Sequence, residues 1–205
     1  MKKIIAFVLF VAMALPLVSC SDKNREYDRD EVIAAAKELI QKSEVLNEIY
    51  WGTGIGYDED ETRKNGFYYP ASESELERLG VESIDSLKRK TLEVFTIGYA
   101  ESIFSTALSS IGDEDTGILG YTRYFQYNDT VMVFSKFTPY LTDEVTYLYD
   151  TVDVKEARAE VVYVTVSANI KRGDLSQTRE IEIGLIEQEN GWRIDTPTYM
   201  VYRED

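Results

Sequence analysis

An α+β fold, helices first and antiparallel strands after, is what this 205-residue chain predicts, and three features predict it. Apolar residues recur at three- and four-residue spacing through the first half, as in helices with one buried face. Beyond the Gly-Asp-Glu-Asp-Thr-Gly stretch at 112–117 the spacing drops to two, as in strands that bury alternate side chains. The second half is also punctuated by Gly173-Asp174 and Asn190-Gly191, dipeptides that suit the tight turns of antiparallel hairpins. Helices and strands segregated in this way pack as helices on a curved antiparallel sheet.

Each element follows from its own residues. A first helix is expected from Asp30, whose carboxylate is placed to cap the free N–H groups of the first turn. Val32, Ile33, Ala36, Leu39, Ile40, Leu46, Ile49 and Tyr50 form its apolar stripe, and Gly52 and Gly54 reverse the chain after it. Residues 53–66 read as loop. Phe67-Tyr68-Tyr69 before Pro70 reads as an edge strand, since proline cannot donate to a central ladder. A brief helix over 72–79 stops at Gly80, and Ser83 caps a further helical stretch reaching about residue 109. Within it Gly98 marks a bend or a close packing contact. Residues 121–126 and 131–134 form a hairpin around Asn128-Asp129. Residues 145–152, 157–170 and 178–188 are strands, the second rich in Val, Tyr and Thr. Trp192-Arg193-Ile194-Asp195 closes the sheet after the Asn190-Gly191 turn.

Composition narrows the functions available. With 22 Lys+Arg against 37 Asp+Glu, the net charge is −15. So acidic a surface disfavours nucleic acid and anionic lipid head groups, whose phosphates need Lys and Arg. It favours a basic partner, because complementary charge speeds encounter. There is no His, and the single Cys is Cys20. Ser-His-Asp and Cys-His catalysis and zinc sites built on imidazole or several thiolates are therefore excluded. Neither GxGxxG nor GxxxxGK[ST] occurs. No cofactor or metal is expected, and no catalytic motif.

The N-terminus carries an export signal. Lys2 and Lys3 precede an apolar run from Ile4 to Leu15, and Leu17-Val18-Ser19-Cys20 follows. The run is short for a membrane span, which needs about 20 apolar residues, and Pro16 interrupts it. A plain secretory signal would leave Cys20 without a disulfide partner. Cys after Leu-x-Ser resembles the bacterial lipobox. That resemblance implies a diacylglycerol on the Cys20 thiol, cleavage before Cys20, and a protein lipid-anchored on the extracytoplasmic face of the cell membrane. The expected organisation is signal peptide 1–19, lipid-bearing Cys and tether 20–29, and a single α+β domain over 30–205. Loss of Lys2 and Lys3 would leave a charge near −17.

Two further resemblances concern the body. The ending Asn-Gly-Trp-Arg-Ile-Asp at 190–195, after two long hairpin strands, resembles the C-terminal edge of the NTF2-like, cystatin-like superfamily, in which a bent sheet wraps a long N-terminal helix as a cone. Leu46-Asn-Glu-Ile-Tyr-Trp-Gly52, Phe67-Tyr-Tyr-Pro70, Ser83-Ile-Asp-Ser-Leu87 and Gly191-Trp-Arg-Ile-Asp-Thr-Pro-Thr-Tyr199 resemble Firmicute envelope lipoproteins, some of them similar to inhibitors of cell-wall DL-endopeptidases. The resemblance implies an envelope-facing binding or inhibitor module with a protein or cell-wall partner.

Candidate binding residues gather where the first helix ends: Glu48, Tyr50 and Trp51, with Tyr57, Tyr68 and Tyr69 after it. Aromatic residues there suit a binding mouth, and equally suit packing beneath a sheet. Glu48 is the best-placed carboxylate, either at that mouth or as an exposed helix residue. Asp58–Glu61 and Asp113–Asp115 read as solvated acidic loops, since neither has the glycine and glutamate spacing of an EF-hand. The alternative to a non-catalytic binder is a small-molecule binder or an isomerase- or hydratase-like enzyme using the cone interior, with a buried Asp base and a Tyr donor.

Overall fold

The computed structural model describes residues 27–59, 67–109 and 122–199. The acidic segments at 60–61 and 113–115, the signal, Cys20 and most of the tether lie outside them. In chain order the elements are α1 (Arg29–Tyr50), β1 (Tyr68–Pro70), α2 (Glu73–Leu79), α3 (Ile84–Val94), α4 (Ile97–Ala107), β2 (Tyr124–Tyr127), β3 (Thr130–Phe134), β4 (Glu144–Arg158), β5 (Val161–Arg172), β6 (Leu175–Gln188) and β7 (Gly191–Ile194). The fold is α+β. Its strands divide into two antiparallel sheets, ordered β1-β3-β2 and β4-β5-β6-β7.

Helix α1 begins at Arg29, two residues earlier than a cap at Asp30 would require. Asp28 is the cap, its carboxylate accepting from the N–H groups of Asp30 and Glu31, which leaves Asp30 in the first turn facing the positive end of the helix dipole. The stripe read from spacing is the buried one: Val32, Ala36, Leu39, Ile40, Leu46, Ile49 and Tyr50 enter the main core, with Ile33 half-buried beside them. Gly80 ends α2 in the left-handed region at φ 61°. Ser83 caps α3 through a reciprocal pair of bonds with Ser86.

The long helical stretch expected to continue to residue 109 breaks, but not at Gly98. Gly98 lies inside α4, and a side chain there would meet nothing within 4 Å, so no close neighbour requires glycine. The break falls at Phe95, which adopts extended backbone (φ −108°, ψ 154°). Phe95 bridges to Ile194 of β7, and the Thr96 N–H donates to the Ile194 carbonyl at 2.9 Å. Thr96 then caps α4 through its hydroxyl. A long-range strand contact, invisible in local spacing, overrides helical propensity here.

The four-stranded sheet obeys the period of two. Val162, Val164, Val166, Ala168 and Ile170 of β5 are buried, alternating with half-buried Val161, Tyr163, Thr165 and Ser167. One boundary differs from expectation: residues 157–158 finish β4, and the chain turns at Ala159, a non-glycine residue at φ 52°. Alanine in that region costs roughly 1–2 kcal/mol, and no Gly, Asn or Pro announces the turn. The neighbouring turns use the residues that favour them, Asn128 at φ 51°, Gly173 at φ 60° and Gly191 at φ 98°. Strand β4 slips register between Leu148 and Asp153 and again between Val154 and Glu156. Such bulges bend a strand, and β4 packs against α1.

On β6, Ile183 and Leu185 are fully buried in the core that holds the α1 stripe, with Ile181 half-buried against it. Trp192 and Ile194 of β7 extend the same layer. Glu182 faces the other way, in an exposed ion pair with Lys155 at 2.6 Å. Ile183→Ala should therefore cost about 2–5 kcal/mol, whereas Glu182→Ala should cost no more than about 1 kcal/mol. Urea denaturation of the two variants measures the difference, and equal midpoints would contradict the register.

Candidate functional site

The end of α1 is where most of the candidate residues lie, and its backbone needs help. The last carbonyls of a helix lack partners and carry partial negative charge, yet the last turn of α1 has no basic residue. A residue some seventy positions later supplies the missing cation. Arg123, just before β2, donates from Nη1 to the Tyr50 carbonyl and from Nη2 to the Gly52 carbonyl, the latter at 2.7 Å. Only 4% exposed, it lies over the Phe137 ring at 3.7 Å from the centroid. Burial pushes its guanidinium below the ordinary arginine range, though arginine stays protonated in proteins. Tyr124 completes the clamp: its fully buried hydroxyl donates to the Ile49 carbonyl at 2.7 Å and accepts from the Ile55 N–H at 3.1 Å.

The clamped turn then carries a groove. The Trp51 carbonyl accepts from the N–H groups of Tyr140 and Leu141 at 2.8 and 3.0 Å, hanging the β3–β4 loop on the end of α1. The Trp51 ring lies 6.3 Å from Tyr140 and 6.4 Å from Tyr199, tilted by 59° and 56°. Tyr99, Ser102, Ile103 and Thr106 of α4 form the opposite wall, and the groove encloses about 400 Å³. Four chain segments thus meet there: the α1 end, α4, the β3–β4 loop and the tail after β7.

A smaller cavity of about 160 Å³ adjoins it, sharing Leu141 and Tyr199 as walls and adding Glu44, Glu48 and Asp143. Each of these carboxylates already has donors. Tyr149 donates to Glu44, the Thr53 N–H and hydroxyl to Glu48, and Arg172 holds Asp143 with two bonds of 2.6 and 2.8 Å. Behind them Asn47 donates to the Thr198 hydroxyl at 2.9 Å, Thr198 to Ser43 at 2.8 Å, and Tyr147 to the Thr198 carbonyl. Together they moor the tail that bears Tyr199.

The six candidate residues do not form one mouth. Trp51 alone lines the groove. Tyr50 is buried, its hydroxyl paired with Thr91 at 2.8 Å, and burial pushes its phenol up. Glu48 is exposed and closes the turn onto Thr53 while edging the smaller cavity. Tyr57 bridges to Ala71 and stacks on Tyr69 at 5.1 Å. Tyr68 donates to the Thr122 carbonyl and packs on Phe125. The reason is topological: beyond the glycine reversal the chain leaves to pair with the three-stranded sheet, taking Tyr57, Tyr68 and Tyr69 with it. Sequence reasoning missed Tyr99, Tyr140 and Tyr199. Only the helical spacing of Tyr99, Ser102, Ile103 and Thr106 offered a signal for one wall.

Leu, Ile, Val and Phe fill the space between α1 and the larger sheet. Asp143, at 2% side-chain exposure, is committed to Arg172 rather than held as a free base. Among the described residues no cluster of metal-ligating side chains occurs, and no helix is long and apolar enough to cross a membrane. No protein-family model matches the chain, and comparison with curated proteins returns no match.

Gly54 reports on the clamp. It sits at φ 88°, and a Cβ there would run into the Arg123 guanidinium and the Tyr124 hydroxyl. Gly173, at φ 60°, has open space around it. Gly173→Ala should cost roughly 1–2 kcal/mol from backbone strain alone. Gly54→Ala should cost about 2 kcal/mol more, because it also displaces hydrogen bonds to a charged donor. Thermal unfolding of both variants checks this, and equal losses would mean that the clamp does not constrain the turn.

Proposed function

We propose that this chain is a lipid-anchored extracytoplasmic binding module that holds an envelope protein or cell-wall component in the groove beside Trp51. The observation that carries the reading is the convergence of Trp51, Tyr99, Tyr140 and Tyr199 from four separate segments on one groove. Tyrosine and tryptophan combine large apolar area with a polar tip and few rotatable bonds, so they are favoured at binding surfaces. A groove of about 400 Å³ lies within the range of ligand pockets. The lipobox-like Leu17–Cys20 supports the address, and two acyl chains suffice for stable anchoring. The acidic body supports a role at a distance from anionic head groups. Absence of His and of any Cys beyond Cys20 supports binding rather than imidazole or thiol chemistry. Resemblance to endopeptidase inhibitors supports the same class.

The test places a photo-reactive benzoylphenylalanine at position 140 in cells and compares it with the same residue at 127. Tyr140 and Tyr127 are both exposed, at 68% and 45%, but only Tyr140 lines the groove. Adducts should form from position 140 alone, in the membrane fraction, and Cys20→Ser should move the chain to the soluble fraction. Equal or absent adducts at the two positions would overturn the groove as the binding site. Unchanged partitioning of Cys20→Ser would overturn the anchor.

A further inference from the structure

We propose that the groove beside Trp51 binds the sugar rings of an uncharged glycan. This rests on the groove being the binding site and names its ligand. Charged residues make up 29% of the chain, yet not one of the groove's nine lining residues is charged. What the groove offers instead is a set of neutral polar groups. The indole N–H of Trp51 and the hydroxyls of Tyr99, Tyr140 and Tyr199 have no hydrogen-bond partner among the described residues. Ser102 and Thr106 donate their protons to the carbonyls of Gly98 and Ser102, at 3.3 and 2.9 Å. That leaves both hydroxyl oxygens free to accept.

A pyranose ring matches this arrangement on both counts. Its C–H face carries slight positive charge and lies against the negative face of an aromatic ring, while its hydroxyls donate and accept in turn. Neither Tyr140 nor Tyr199 stacks face to face on Trp51, since both are tilted by more than 50°. Apolar side chains would cover the phenols and the indole N–H without pairing them, a loss of about 1–3 kcal/mol for each unsatisfied group, so a peptide could pair them only through its backbone. A basic segment would find no carboxylate among the groove's own lining residues, since Glu44, Glu48 and Asp143 line the adjoining cavity. Those same carboxylates, with the net charge of −15, repel an anionic polysaccharide.

Calorimetric titration of the purified chain with uncharged oligosaccharides of the glucan, chitin, mannan and galactan types tests the assignment, with polygalacturonate and polylysine as charged counterparts. At least one neutral oligosaccharide should bind, insensitive to salt, and should perturb tryptophan fluorescence. Tyr140→Ala, at a largely exposed position, should fold normally and weaken binding about tenfold, while Tyr127→Ala should leave it unchanged. Binding of no neutral oligosaccharide, salt-sensitive binding of polylysine alone, or equal affinity for Tyr140→Ala and Tyr127→Ala would each overturn it. If protein adducts still form from position 140 in cells, the binding-module reading stands and only the glycan assignment falls.

Discussion

The contact on which the rest depends is a buried arginine closing a helix that cannot close itself. Helix α1 has acids in its first turn and no base in its last, so its C-terminal carbonyls face the core without a local cation. Arg123 answers one of them at Tyr50 and also holds the Gly52 carbonyl just beyond the helix, and Tyr124 answers a second at Ile49. Burying a guanidinium is costly unless its protons find partners. Here they find carbonyl oxygens and an aromatic face rather than a carboxylate, so the helix end and the arginine each satisfy what the other lacks.

From that clamp the groove follows by short steps. The turn held at Gly52 and Gly54 fixes Trp51 at the α1 C-cap. The Trp51 carbonyl then takes the N–H groups of Tyr140 and Leu141. The loop is braced a second time by Phe137, which lies under Arg123 and meets Tyr140 edge-on at 5.6 Å. Tyr199 arrives from the other side, on a tail moored through Thr198 to Ser43 and Asn47 of α1. An aromatic groove assembled from four segments would disperse if left to its loops. Attachment to α1 and its cap keeps Tyr140 and Tyr199 beside Trp51, while Tyr99 is placed by α4, which is tied to β7 through the Thr96 N–H and to Arg123 through the Ala107 carbonyl.

Much of the architecture was legible in the sequence, and most of what was not depends on long-range contacts. The α1 stripe, the Ser83 cap, the Gly80 stop and the β6–β7 turn all rest on residues within a few positions of one another, where period and turn chemistry operate. The break at Phe95 depends on Ile194, whereas the cap is a local choice between two nearby carboxylates, with Asp28 accepting from the N–H groups of Asp30 and Glu31. The Ala159 turn uses a residue that does not advertise turns. The same divide runs through the site. Trp51 was found because it follows a legible helix, whereas Tyr140 and Tyr199 come from irregular segments placed by long-range bonds. Arg123 carried no local signal at all, since its partners lie more than seventy residues away. Tyr57, Tyr68 and Tyr69 misled because nearness in sequence across a glycine reversal is not nearness in space.

Native-state hydrogen exchange on an Arg123→Met variant tests the dependence of the groove on the clamp most directly. The N–H groups of Gly52 and Gly54 bond to carbonyls of the last α1 turn, that of Ile55 to Tyr124, and those of Tyr140 and Leu141 to Trp51. If the clamp organises this region, these five amides should lose protection together. Amides in the β5–β6 ladder, which rest on strand pairing, should keep their protection relative to the variant's global stability. Unchanged protection at Ile55, Tyr140 and Leu141 would contradict the account.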